Sequence, residues 1–372
     1  MDFKLFYNKH KIVIISILIV IIITIIVILI LYNKKSDKNS DKNSDKKSDK
    51  IDNYKEPTFN VRKYIMNNKQ IDNVLHVIVV LSNPCQFKRR VQLANEFLKR
   101  MKHELHINVY VVELAYGDQD FSITNENNPR HLQLRGIIPL WHKENMINLA
   151  VKKLLPTTWK AMAWIDADIE FDNVNWAMDT LKVLNEGCDV VQLFSHAIDM
   201  DKNLNAMSIF PSFGFQHSKN IKYGGSTINM WHPGYAWACT RKMYENIGGL
   251  YELGIIGGGD SHMAESFIGI YKITFNNISN NYKQSLNRFQ EHAVHLKLKV
   301  GYIPGIIRHY YHGSKKNRKY SERWHILLNN LYDPTIHITY NTDGLLIPTD
   351  KCPILMLDQI MEYFKERNED EG

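Results

Sequence analysis

The chain has 372 residues, 44% of them apolar and 23% charged, with 19 Gly and 11 Pro; this excludes a fibrous or wholly disordered protein and gives one or two domains ample material for a core. Lys and Arg number 46 against 39 Asp and Glu, but residues 1–50 hold ten Lys and five Asp, so the remainder is close to neutral, 36 basic against 34 acidic. A basic fold that coats a phosphate backbone is thereby excluded, and no nucleic-acid partner is expected. Cys85, Cys188, Cys239 and Cys352 are widely separated and lack the paired spacing of a zinc site or a disulfide scaffold, so they read as ordinary thiols.

A short tail, residues 1–11, leads into a span at 12–32 whose first twenty residues carry no charge and are almost all Ile, Val and Leu, interrupted by Ser16 and Thr24. At about 1.5 Å per residue such a run crosses a bilayer core of roughly 30 Å. It is longer than the apolar part of a cleaved signal peptide and runs into Tyr32, Asn33, Lys34 and Lys35 rather than small residues, so a transmembrane signal anchor is predicted. Counting Lys4, Lys9 and Lys11 against Lys34, Lys35 and those that follow puts the C-terminal side inside. A large domain after a short tail is instead the arrangement of single-pass proteins facing a lumen. The expectation is the latter: a type II protein with its domain in the ER or Golgi lumen, or in a host or viral membrane. Residues 33–55 contain SDKN SDKN SDKK SDK, which buries nothing and reads as a solvated, disordered tether.

The domain proper is placed at 56–372. Residues 75–81 (LHVIVVL) read as a buried strand, followed by a turn and then by a helical spacing of Val91, Leu93, Ala94, Phe97, Leu98 and Met101. Further strands are predicted at 107–114 and 131–134, a helix at 146–155, a strand at 160–165 (KAMAWI), a helix at 174–185 stopped by Gly187, and a strand at 189–194. Strands alternating with helices imply an α/β fold, with a mostly parallel sheet flanked by helices, whose ligands bind outside the carboxyl ends of the strands. Beyond residue 194 the alternation gives way to a Gly-, His- and aromatic-rich stretch, with the strand AWAC at 236–239, a helix near 263–270 and a basic segment.

Asp166-Ala167-Asp168 follows directly on KAMAWI. Two more DxD pairs, Asp118/Asp120 and Asp199/Asp201, occur elsewhere, but only the central one ends a buried strand. There, two carboxylates are hard oxygen ligands for Mn²⁺ or Mg²⁺ carrying a diphosphate; the plain alternative is an acidic turn before a helix. Gly257, Gly258 and Gly259 permit close backbone approach, and Asp260 then opens a helix, where its ordinary role would be an N-cap. Six Lys and Arg lie from Arg308 to Arg323 against the single acid Glu322, and His309 and His312 lie within the same stretch.

WIDADIEF resembles the strand and metal-binding DxD of nucleotide-sugar glycosyltransferases with the GT-A fold, a Rossmann-like sheet, and IGGLYELGIIGGGDSHM resembles the acceptor segment of galactosyltransferase-like and family 2-like members. The resemblance implies that Asp166 and Asp168 hold Mn²⁺ or Mg²⁺ and that His312, or His309 in second place, completes the metal shell. It further implies that Asp260 is the general base. Pro84 and Arg89, in a turn similar to the uridine-binding turn of that family, would contact the donor together with Lys315, Lys316 and Arg318. Trp231, His232, Gly258 and Gly259 would form the acceptor surface. The nucleotide-sugar half would run over about 74–195 and the acceptor half over about 196–325. His142, Lys143, Glu144 and Asn145 read only as a helix start.

The function expected is transfer of a sugar from a nucleotide-sugar donor, a UDP-sugar, to a hydroxyl of a glycan or glycoprotein acceptor, with inversion. A nucleotidyltransferase would place carboxylates similarly but would carry a Gly-rich loop after the first strand, and 82–90 has no Gly. A non-catalytic glycan-binding or structural membrane protein of the same fold is the other rival. The Ile-, Lys- and Asn-rich composition points to an AT-rich genome such as that of a large DNA virus or a protist.

Overall fold

Strands and helices alternate through the first half of the computed structural model, which describes residues 59–224, 230–275 and 277–371. Helix α1 (Val61–Asn67) is followed by β1 (Leu75–Ser82), α2 (Lys88–Met101), β2 (Ile107–Tyr116), β3 (His131–Gly136), α3 (Lys143–Lys153) and β4 (Ala161–Ile165). Next come β5 (Ile169–Phe171), α4 (Trp176–Val183), β6 (Val190–Gln192), β7 (His196–Met200), β8 (Ala206–Pro211) and α5 (Phe213–Ser218). The chain continues through β9 (Ala236–Thr240), α6 (Arg241–Ile247), α7 (Gly259–Phe267), α8 (Asn280–Leu296), β10 (Val300–Tyr302) and β11 (Ile306–His309). A 3-10 turn at Lys315–Arg318 leads to α9 (Trp324–Asn329), α10 (Pro334–His337), β12 (Ile338–Tyr340), β13 (Leu346–Pro348) and α11 (Ile354–Glu366). The predicted anchor and tether lie outside the described residues, among which no helix is long and apolar enough to cross a membrane.

The central sheet has the strand order β10-β6-β9-β4-β1-β2-β3. All neighbours are parallel except β9, which runs antiparallel to both β4 and β6. Its residues sort by the two-residue period of a strand. Leu75, Val77, Val79, Ala161, Ala163 and Ile165 join one hydrophobic cluster, with Phe97 and Met101 of α2 and Trp176 and Leu181 of α4. Ile78, Met162, Trp164, Trp237 and Cys239 face the other way, into a cluster with Met146 and Ala150 of α3, Met243 of α6 and Met263 of α7. Covering both faces explains why β1 and β4 read as continuous apolar runs rather than alternating ones.

A second sheet, β5-β11-β7-β8, was not foreseen, because β7 and β8 carry no clean alternation and β8 leaves Met207 and Ile209 exposed. It matters to the site: in its register His309 pairs with Ile169 on one side and Asp199 on the other. The residue after Asp168, a late histidine and an aspartate of a supposedly uninformative DxD thus stand abreast. The Asp166–Asp168 turn therefore leads into strand β5, not into a helix. The predicted helix at 263–270 begins earlier, at Gly259, and the elements beyond residue 325 went unread. All four cysteines are free thiols.

His262 of α7 is buried with neither ring nitrogen hydrogen-bonded among the described residues, packed edge-on against Tyr251 and Tyr271. Burial pushes its pKa down to about 3 from 6.5. A lowered histidine pKa means that the unfolded chain binds the extra proton, so its stability contribution is complete above pH 6.5 and is lost as pH falls from there towards 3, at about 1.4 kcal/mol per pH unit. His262→Phe is therefore expected to gain about 2 kcal/mol on wild type between pH 7.5 and pH 5, read by urea denaturation at both values. Parallel pH dependence in the two proteins would overturn this.

Candidate active site

The loops after β1, β4 and β11 open at one end of the sheets around a cleft of about 560 Å³, where the parallel-sheet rule places ligands. Backbone hydrogen bonds fix the DxD turn: Asp166 N–H donates to the Tyr235 carbonyl at 2.8 Å, and the Asp168 carbonyl accepts from Tyr310 N–H at 2.8 Å. Held this way, Asp168 meets the two histidines of the basic segment. Its Oδ2 is 2.9 Å from His312 Nε2 and 3.8 Å from His309 Nε2, and the two Nε2 atoms are 3.3 Å apart.

Each imidazole has a buried carboxylate behind it. His309 Nδ1 lies 2.8 Å from Asp199 Oδ1, and His312 Nδ1 lies 3.2 Å from Glu369 Oε2. A carboxylate can only accept, and His312 has one at each nitrogen, Glu369 at Nδ1 and Asp168 at Nε2; the tautomer that donates Nδ1–H to the carboxylate behind the ring leaves Nε2 with the lone pair that a cation needs, and Arg318 Nη2 lies 2.7 Å from His312 Nε2 and 3.2 Å from its Nδ1. In that tautomer two lone-pair nitrogens converge with a carboxylate oxygen, and Asp168 Oδ1 is buried with no hydrogen-bond partner among the described residues. Imidazole–imidazole–carboxylate convergence, with each ring oriented by a carboxylate, fits a divalent cation. Burial alone would raise the Asp168 carboxyl, but His312, His309 and Arg318 hold it below the usual range; burial lowers His309.

Asp166 stands apart from this group, which consists of Asp168, His309 and His312. Its Oδ1 is 2.7 Å from Lys143 Nζ, and the same ammonium is 3.2 Å from Asp260 Oδ2. Burial pushes Asp166 up to about 6 even with Lys143 opposing. Burial also works to lower Lys143, but Asp166 and Asp260 outweigh it and keep the ammonium charged. Asp260 lies in the first turn of α7 and is not its N-cap; Gly258, in the left-handed region at φ 89°, holds that position without a side-chain bond. The carboxylate is free of capping and faces the cleft beside Gly258 and His232. Beneath it, burial first and then Asp260 push Glu144 up to about 8.

Pro84, Lys315, Arg318, His232 and Gly258 line the cleft. Four expectations about placement need correction. Arg89 turns away to donate to the Tyr311 carbonyl at 3.0 Å, and Arg90 lines the cleft in its stead. Lys316 is exposed on the 3-10 turn and is not on the cleft wall. Trp231 is buried edge-on against Phe213 and Tyr223, so it packs the core instead of presenting a face. Gly259 is a packing position: a Cβ there would lie 2.4 Å from Glu144 Oε1. Lys315 is ion-paired with Asp199. Sequence reasoning missed Lys143, whose signal was its place at the helix start beyond β3, and Asp199, whose signal was a DxD set aside because it does not end a buried apolar run. It also missed Glu369, which has no local signal.

No protein-family model matches the sequence, and no curated protein matches it. Among solved structures, the catalytic domain of Drosophila β1,4-galactosyltransferase 7 in complex with xylobiose is 10% identical, with a TM-score of 0.36 over 78% of this chain and 99% of its own. The mannosyltransferase PcManGT from Pyrobaculum calidifontis, in complex with GDP-Man and Mn²⁺, is 13% identical, with a TM-score of 0.37 over 82% of this chain and 75% of its own. The inositol-1-phosphate CTP transferase of T. maritima is 11% identical, with a TM-score of 0.31 over 65% and 90%. These neighbours are nucleotide-sugar transferases and a nucleotidyltransferase. Likenesses so slight carry no argument, and the chemistry of this chain rests on its own residues.

Proposed function

We propose that this chain is a metal-dependent glycosyltransferase of the GT-A type, moving a sugar from a nucleoside-diphosphate donor, a UDP-sugar, to a hydroxyl of a glycan or glycoprotein with inversion. The observation that carries the reading is the convergence of the Asp168, His309 and His312 side chains at the carboxyl end of β4. Mn²⁺ held there, favoured over Mg²⁺ by the two imidazoles, would stabilise the charge of the departing diphosphate. Arg90, Lys315 and Arg318 line the same cleft and supply fixed positive charge to phosphate oxygens. Across from them, Asp260 takes the proton of the acceptor hydroxyl, its carboxylate positioned by Lys143. A base on the side of the anomeric carbon opposite the diphosphate gives inversion. The chain is anchored by its 12–32 span as a type II membrane protein, with the domain in a lumen or at a host or viral membrane.

The test uses the full chain in detergent with a panel of UDP- and GDP-sugars, Mn²⁺ or EDTA, and acceptor glycans. Mn²⁺-dependent release of UDP from one donor, with sugar found on the acceptor, is the expected result. Pyrophosphate release from a nucleoside triphosphate and a sugar phosphate would replace this reading by nucleotidyl transfer. Donor binding without turnover would replace it by a glycan-binding protein.

A further inference from the structure

The segment that follows α11 runs back across the cation centre. Glu369 is 2% exposed and its two oxygens serve three groups: Oε2 faces His312 Nδ1 at 3.2 Å and Arg90 Nε at 2.5 Å, and Oε1 accepts from Arg367 Nε at 2.6 Å. Burial would raise this carboxyl, but Arg90 and Arg367 hold it well below the usual range. The next residue, Asp370, is exposed and accepts from the Lys88 and Arg89 N–H groups at 3.0 and 2.8 Å, so the segment is pinned to the first turn of α2. Its passage needs Gly313: at φ 86°, that residue would bring a Cβ to 3.0 Å of the Arg367 and Asn368 carbonyls. The glycine beside His312 is thus the seat of this segment.

We infer that Glu369 is the positioning residue of the cation centre, fixing the His312 ring with Nε2 towards Asp168 while it holds Arg90 on the cleft wall. The inference rests on the metal-dependent reading above. A carboxylate behind a liganding imidazole fixes its tautomer and raises its basicity, and its loss commonly costs about 10- to 100-fold in metal affinity. Here that partner comes from a segment far along the chain from the three converging residues, so cation affinity depends on the docking of that segment.

The experiment measures Mn²⁺ affinity of the full chain by calorimetry and Mn²⁺ electron paramagnetic resonance, without donor, in wild type, Glu369→Ala, Glu369→Gln and Asp370→Asn. Glu369→Ala is expected to bind Mn²⁺ about 10- to 100-fold more weakly. Glu369→Gln keeps an oxygen that accepts from His312 Nδ1 and is expected to recover most of that loss. Asp370→Asn, an exposed change that leaves the fold intact, is expected to weaken binding in the same direction by loosening the segment. Unchanged affinity in Glu369→Ala overturns the inference, as does an equal loss in Glu369→Gln. Should both Glu369 variants fail to fold, unchanged affinity in Asp370→Asn overturns it. A wild type that binds no Mn²⁺ instead overturns the metal-dependent reading itself.

Discussion

Asp168→Asn is expected to abolish Mn²⁺ binding and to lower sugar transfer by about three orders of magnitude, the worth of several kcal/mol of charge stabilisation lost from the leaving group. The change keeps size and shape and removes one anionic ligand from the group it forms with His309 and His312. A second outcome separates this from simple damage. In the wild type, Asp168 Oδ2 lies 2.9 Å from His312 Nε2; with the His312 proton on Nδ1 towards Glu369 these are two acceptors, an arrangement that costs stability until a cation joins them. The amide of Asn can donate to that nitrogen, so the melting temperature without metal is expected to hold or rise, while the gain on adding Mn²⁺ disappears. Thermal unfolding with and without Mn²⁺ reads both effects. A variant that still gains stability from Mn²⁺ as wild type does would place the cation elsewhere.

Asp260→Asn is expected to lower kcat by about 10²- to 10⁴-fold, the usual contribution of general base catalysis, while leaving Mn²⁺ affinity within about threefold of wild type. The split follows from geometry. Asp260 belongs to the Lys143 pair and not to the converging ligands, so removing its charge leaves the cation centre whole. It is not the N-cap of α7, so helix stability should be nearly unaffected, and a normal urea midpoint would exclude misfolding. Steady-state kinetics with saturating donor decide the matter: kcat within threefold of wild type would remove Asp260 from the role of base.

What was legible in the sequence was whatever a strand or helix announces through local periodicity. β1, β2 and β4 declare themselves because burial on both faces demands unbroken apolar runs, and the spacing of Leu93, Ala94, Phe97 and Met101 marks the buried stripe of α2. The DxD turn could be found because it abuts such a strand. The second sheet could not: its strands are three to six residues long and owe their existence to one another. Asp199 looked like a decoy for that reason, since its meaning lies in its register opposite His309. Arg89 and Arg90 are indistinguishable as letters, and the direction of α2 decides which guanidinium enters the cleft. Lys143 is a strong case of the same kind. At a helix start, a lysine reads as solvated surface, yet here its ammonium is drawn inward between two carboxylates.

The register of the second sheet also has a bearing on the order in which the protein assembles during synthesis. The seven-stranded sheet draws β1 to β4 from neighbouring stretches of chain, whereas the cation centre joins the end of β4, the end of β11 and a residue beyond α11. Contacts between segments so distant along the chain form late, because the intervening loop must close first. A nascent chain that has not yet emitted α11 can therefore lay down the hydrophobic layer against α2 and α4, which takes nothing from α11, while His312 lacks the group that orients it. Completion of the cation centre is then a late step of folding, and a chain clipped beyond α11 is expected to keep the three converging ligands while holding the cation about 10- to 100-fold more weakly.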